Sequence, residues 1–168
     1  MSFSVTAFKS AGLKQGGFRP ALFEVFVARA GGQRISLQCQ STNAPAFTVG
    51  QIEVPYFGRK IKIAGDRVYS EWTTMVVEDE DFVVRNALEQ WQMQINRGDS
   101  NIRSQMNEAY KDRGQVKMFS KSGSVIRTYT LEGLWPVDVG TIELDWNTTD
   151  TIGSYTVTWA FDWMNEGT

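Results

Sequence analysis

Histidine is absent from this 168-residue chain, and cysteine occurs once. Without histidine, the usual general base at neutral pH, the commonest metal ligand and the usual partner of a nucleophile are all missing. The balance therefore moves away from catalysis. With Cys39 alone no internal disulfide can form, which fits a reducing compartment and argues against secretion. The thiol itself reads as a small buried hydrophobe rather than a reactive group. No repeat, low-complexity stretch or linker interrupts the chain, and no run is long and apolar enough to span a bilayer. The opening Met1-Ser-Phe-Ser-Val-Thr-Ala lacks the basic start and apolar core of a secretory leader. Asn147-Thr-Thr149 is accordingly a chance match to a glycosylation sequon.

Motifs that carry chemistry are missing as well. There is no nucleotide loop, no Cys/His cluster for zinc, and Ser122-Gly123-Ser124 is a turn rather than a nucleophile elbow. Glu143 and Asp145, two apart on an expected strand, share a face as a glycosidase pair would. A solvated acidic face explains them more simply. The run Glu78-Asp79-Glu80-Asp81 lacks the glycine and the downstream glutamate of a calcium loop, and reads as the N-terminal cap of a helix. No cofactor and no metal are expected.

What is present is a globular composition, rich in Trp and Phe, long enough to bury one core. One domain over 1–168 is expected, with an arm at 1–18 and a variable loop at 98–114. Leu22–Arg29 reads as a central strand, Gly31-Gly32 as a hairpin turn, and Arg34–Gln40 as its partner, with Ile35, Leu37 and Cys39 inward. Phe47–Val54 reads as a further strand. Tyr56–Ala64 and Arg67–Val77 read as a long hairpin turning at Gly65-Asp66, with Arg59, Lys60, Lys62 and Arg67 making its base positive. Such a base is a solvated face or a contact for an acidic partner rather than a nucleic-acid site, because stacking aromatics are not placed on the same face. Val84, Leu88, Trp91 and Ile95 fall at helical spacing over 82–97, closed by Arg97-Gly98. Gln115–Lys121 and Ser124–Leu131 flank another hairpin turn. Gly133-Leu134-Trp135-Pro136 makes a corner and leads through Ile142–Trp146 into Ser154–Met164. There Tyr155, Val157, Trp159, Phe161 and Trp163 alternate with Ser154, Thr156, Thr158, Ala160 and Asp162. The total is about eight strands and one four-turn helix: a mixed domain, mainly antiparallel β with one helix.

Charge is split along the chain. From Thr128 onward there are seven acids and no Lys or Arg, although the whole chain carries only a net −2. Such halves either neutralise each other within a fold or make complementary faces on different copies.

Several stretches are similar to a known family. Arg19-Pro-Ala-Leu-Phe-Glu-Val25, Leu37-Gln-Cys-Gln40 with Ala44-Pro45-Ala46, Gly58-Arg-Lys-Ile-Lys-Ile-Ala-Gly-Asp-Arg67 with Trp72, and Gly133-Leu-Trp-Pro136 with Val139-Gly140 and Leu144-Asp-Trp146 resemble the tail tube proteins of T-even-like contractile bacteriophages. The resemblance runs from about Arg19 to Trp163. It implies an antiparallel β-barrel or sandwich with one flanking α-helix at about 82–97, a structural virion protein and no enzyme. Subunits would form hexameric rings, joined by strands into one barrel around a channel, and rings would stack into a tube. Sheath, baseplate and tape-measure proteins would be its partners. DNA would pass through without specific binding, and assembly would take place in the host cytoplasm. Tubes of type VI secretion or phage-like injection devices share that architecture and are the alternative; from other classes, so are a small-molecule-binding β-barrel and a His-free carboxylate hydrolase. On this reading Arg59, Lys60, Lys62 and Arg67 meet acids such as Glu143 and Asp145 on an adjacent copy. Candidates for the channel wall are Ser36, Gln38 and Gln40, the polar parity Thr156, Thr158 and Asp162, or Glu71 and Thr73.

Overall fold

The computed structural model describes residues 5–12, 16–100 and 109–167. Residues 101–108 of the 98–114 loop and residues 1–4 and 13–15 of the 1–18 arm lie outside the described residues. At the N-terminus, α1 (Val5–Ala7) runs into a π-helical turn, Phe8–Gly12. The body is antiparallel β, as expected. Strands β1 (Phe23–Val27), β2 (Cys39–Thr42), β5 (Trp72–Val77), β6 (Asp112–Phe119), β7 (Val125–Val139), β8 (Ser154–Ala160) and β9 (Trp163–Gly167) form one sheet. Its order is β1-β6-β7-β8-β5-β2, with β9 alongside β7. Strands β3 (Phe47–Tyr56) and β4 (Arg59–Tyr69) form a separate two-stranded hairpin. Two further helices are α2 (Gln33–Gln38) and α3 (Val83–Ile95).

The core lies between the curled sheet and α3. Val84, Leu88 and Trp91 are buried, the face expected from their spacing, and Ile95 packs at its margin. Trp159 on β8 stacks between Trp72 and Trp91, with ring centroids 5.9 and 6.0 Å away. Each indole N–H finds an acceptor, as a buried Trp requires. Trp159 donates to Thr74 Oγ1 at 2.9 Å, Trp72 to the Asn43 carbonyl at 2.8 Å and Trp91 to the Tyr110 carbonyl at 2.7 Å. Cys39 is buried, and burial pushes its thiol up to about 12, so it stays protonated and inert at neutral pH. The acidic run does cap α3 in part, since Asp81 accepts the Val83 N–H at 3.3 Å. Asp79 and Asp81 also pair with Arg34.

Several local expectations are corrected. Segment 33–38 is helix, not strand. Ile35 and Cys39 stand four apart, so the same letters satisfy a period of 2 or one helical face, and Leu37 is left 84 % exposed. Gly31 and Gly32, with φ of 83° and 59°, turn the chain into α2 rather than into a hairpin. Strand β1 is an edge strand, not a central one, and α2 lies against it. The Ser36 hydroxyl donates to the Val25 carbonyl at 2.5 Å, occupying part of that free edge. The long hairpin is β3–β4 and turns at Phe57-Gly58; Gly65-Asp66 forms a bulge inside β4, opposite Gly50. Ile142–Trp146 is loop, and the Gly133–Pro136 corner lies within β7, where Gly133 adopts φ 70°. The C-terminal strand breaks at Phe161-Asp162, where the Asp162 N–H donates to the Glu132 carbonyl at 3.0 Å. The break shifts the alternation by one, so Met164 is buried and Trp163 exposed.

One buried group opposes the fold. Glu78, just after β5, lies against Tyr155 and Arg85. Neither its oxygens nor the Tyr155 hydroxyl has a well-formed hydrogen bond. Burial pushes the Glu78 carboxyl above its ordinary value, and the Asp79 backbone and the Arg85 charge offset this only in part. The folded chain thus holds that proton more tightly than the unfolded one. Its contribution is favourable at low pH and fades as pH rises through the carboxylate range. Glu78→Gln should raise stability at neutral pH by about 1 kcal/mol and flatten that slope. Melting temperatures from about pH 4 to 7 measure it; an unchanged slope would refute the assignment.

Candidate assembly interface

The β3–β4 hairpin is amphipathic, and both of its faces are open to solvent. Paired residues share a face. One face carries the pairs Ile52–Ile63, Val54–Ile61 and Tyr56–Arg59, together with Val68. All these residues are exposed. The opposite face carries Glu53–Lys62 and Pro55–Lys60. Towards the base, Phe47 and Tyr69 pack on the core. A stripe of β-branched residues left in water is an interaction surface and an aggregation liability unless another chain covers it.

The four basic candidates all sit on this hairpin, but not at its base as a group. Arg59 and Lys60 lie at the tip, just after the turn. Lys60 is paired with Glu53 at 2.7 Å. Lys62 lies opposite Glu53, and Arg67, near the base, sits 4.2 Å over the Phe47 ring. Part of the split charge is neutralised within the monomer, through Lys111–Asp162 at 2.6 Å, Arg113–Glu132 at 2.7 Å and Arg127–Glu166. Glu143, Asp145 and Asp150 make no ion pair among the described residues. They lie on the exposed loop between β7 and β8.

The channel-wall candidates separate. Thr73 and Thr158 are cross-strand partners on the outer face of the sheet, and Met75 pairs with Thr156 beside them. Gln40 lies at the β2 edge of the same sheet. Ser36 and Gln38 belong to α2, Glu71 to the link between β4 and β5, and Asp162 to the break before β9, so these four do not join that face. Sequence reasoning missed the turn aromatics Tyr56 and Phe57, and the exposure of Leu144 and Trp146. Alternation of Ile61 and Ile63 with Lys60 and Lys62 signalled an apolar face, but not that it stays uncovered. Among the described residues, three sheet margins also have no strand partner: the outer edges of β2 and β9, and the part of β1 beyond its single bridge to Gly32.

Comparison with known proteins gives these surfaces a context. The chain is 35 % identical over 147 residues to tail tube protein gp19 of Enterobacteria phage T4, covering 86 % of this chain and 89 % of that one. Among solved structures, it resembles the sheath/tube terminator of an extracellular contractile injection system, with a TM-score of 0.70 at 15 % identity, covering 92 % of this chain and 99 % of that one. A chain of the sheath-tube complex of the same kind of system aligns with a TM-score of 0.65 at 16 % identity, covering 99 % of each. At such identities these two likenesses establish the fold. The profile of the phage tail tube protein family matches residues 4–165, and the chain belongs to that family.

Proposed function

We propose that this chain, as one tail-tube domain, builds the inner tube of a contractile phage tail. Copies close into hexameric rings, neighbouring sheets join at their open margins, and rings stack around a channel for the genome. The observation that carries this reading is the β3–β4 hairpin, whose uncovered apolar face needs a second chain. A contact between unlike surfaces closes into a ring or propagates into a filament, and a tube uses both. The role is structural, not catalytic, with sheath, baseplate and tape-measure proteins as partners. The virion is its destination and the host cytoplasm its place of assembly. The hydroxyl-rich sheet face around Thr73, Thr156 and Thr158 is the preferred channel wall, since a neutral surface does not hold phosphates.

Negative-stain electron microscopy of the purified protein, dilute and concentrated, tests the reading. Rings or hollow tubes are expected; featureless monomers at every concentration would overturn it. Reversal of charge in Lys60→Glu/Lys62→Glu tests the role of the hairpin. Both side chains are exposed, so the monomer should keep its circular dichroism spectrum. Assembly should weaken by at least about tenfold, because like charges now meet across the contact. Unaltered tube growth by this variant would refute the charged contact.

A further inference from the structure

The hairpin tip contradicts the usual chemistry of its own turn. Phe57 and Gly58 both have positive φ, 43° and 73°, as a two-residue hairpin turn demands. Asn, Asp or Gly takes the first position readily, whereas a bulky aromatic is strained there. Phe57 is nonetheless 90 % exposed, and its ring meets only the edge of Tyr56, at 4.7 Å. A strained aromatic that the monomer does not bury has the character of a binding anchor.

A matching receptor lies on the same chain. The loop between β7 and β8 holds Leu144 and Trp146 almost wholly in water, and Ile152 largely so. These three and Met75 line an open groove of about 680 Å³, with Glu143 and Asp145 on its wall. That is room enough for a pair of aromatic rings. The groove is braced from below. The Gly140 N–H donates to the Thr156 carbonyl at 2.8 Å, Arg85 to the Gly140 carbonyl at 3.1 Å, and the Glu78 N–H to the Gly153 carbonyl at 2.8 Å. Tip and groove are both open in one monomer, so the occupant is not the chain's own hairpin. Their charges are complementary, Arg59, Lys60 and Lys62 against Glu143, Asp145 and Asp150.

We propose that Phe57, backed by Tyr56, seats in the Leu144–Trp146–Ile152 groove of a second copy, with Arg59 and Lys60 facing its acids. The inference rests on the tube reading and adds where the hairpin docks. Tip and groove are unlike surfaces, so each copy offers one of each and the contact can be repeated from copy to copy, around a ring or along the tube.

Complementation tests it. Phe57→Asn removes the anchor while keeping the turn. Leu144→Ser/Trp146→Ser removes the receptor at exposed positions. Alone, each variant should raise the concentration needed for tube growth by at least about tenfold. Mixed, they should join once and stop, because an intact groove meets an intact tip only at the boundary between the two variants. Electron microscopy and sedimentation read the result. A charge pair reports on the same contact: Arg59→Asp and Asp145→Arg should each impair growth, and the double variant should restore it. Tubes from Phe57→Asn at the wild-type concentration would overturn the docking and leave the tube reading intact. So would folded variants that fail to join on mixing, or a charge pair that shows no rescue. A wild-type chain that forms no multimer would overturn both.

Discussion

Replacing Trp159 with alanine should remove about 4 kcal/mol of folding free energy. Its side chain is fully buried and bridges sheet and helix, with Trp72 on one side and Trp91 on the other. It stands opposite Trp72 on β5 and Pro136 on β7, so truncation hollows three strands and the face of α3 together. It also strips the Thr74 hydroxyl of a 2.9 Å partner at a position with no access to water. Small domains hold only about 5–15 kcal/mol in all, so a large share of the margin is lost. At this length the melting temperature should fall by roughly 8–16 °C. Trp159→Phe keeps a ring but not the donor and should lose about half as much. Urea denaturation measures both, and a loss below about 2 kcal/mol for the alanine variant would show that the three-Trp stack is not the centre of the core.

Gly140→Ala should be almost as damaging, at about 3 kcal/mol, for a different reason. The glycine does not have positive φ. Its constraint is space, because a Cβ there would lie 2.7 Å from the Thr156 carbonyl oxygen and 3.3 Å from the Thr156 nitrogen. Those are backbone atoms of β8 and cannot swing aside. Relief requires β7 and β8 to part, which stretches the Gly140–Thr156 hydrogen bond and moves the start of the 140–153 loop. Assembly should therefore fall further than the stability loss alone predicts. Gly58→Ala is the control. Nothing lies within 4 Å of its Cβ, but φ is 73°, so it should lose only about 1 kcal/mol through backbone strain. Thermal melts rank the two, and an equal loss would refute the steric account.

Local pattern was enough where neighbours in sequence are also neighbours in space. Helix α3 was legible from Val84, Leu88, Trp91 and Ile95 because their spacing is set by the helix itself. The β6–β7 hairpin was legible from Ser122-Gly123 between two alternating runs. The Phe57-Gly58 turn was not, since a phenylalanine occupies the place where Asn or Asp would have signalled it, while Gly65-Asp66 offered a false turn at a bulge. The exposed groove was missed for a related reason. Leu144 and Trp146 alternate with acids as a half-buried strand does, and nothing in that pattern says that no strand lies alongside.

The residues alone settle the mainly β class, the main helix, the lack of histidine chemistry and the charge asymmetry, because these depend on composition and short-range periodicity, while the family resemblance rests on particular stretches such as Gly58–Arg67 and Gly133–Pro136. Pairing settles the rest. Whether 33–38 coils or extends depends on β1 having a free edge for α2 to cover. Whether Ser154–Met164 runs straight depends on Gly133 turning β7 beside it. Which apolar residues remain in water depends on where the sheet ends. Each of these is decided by contacts between segments far apart in the chain, and the energy of a contact exists only once both partners are in place.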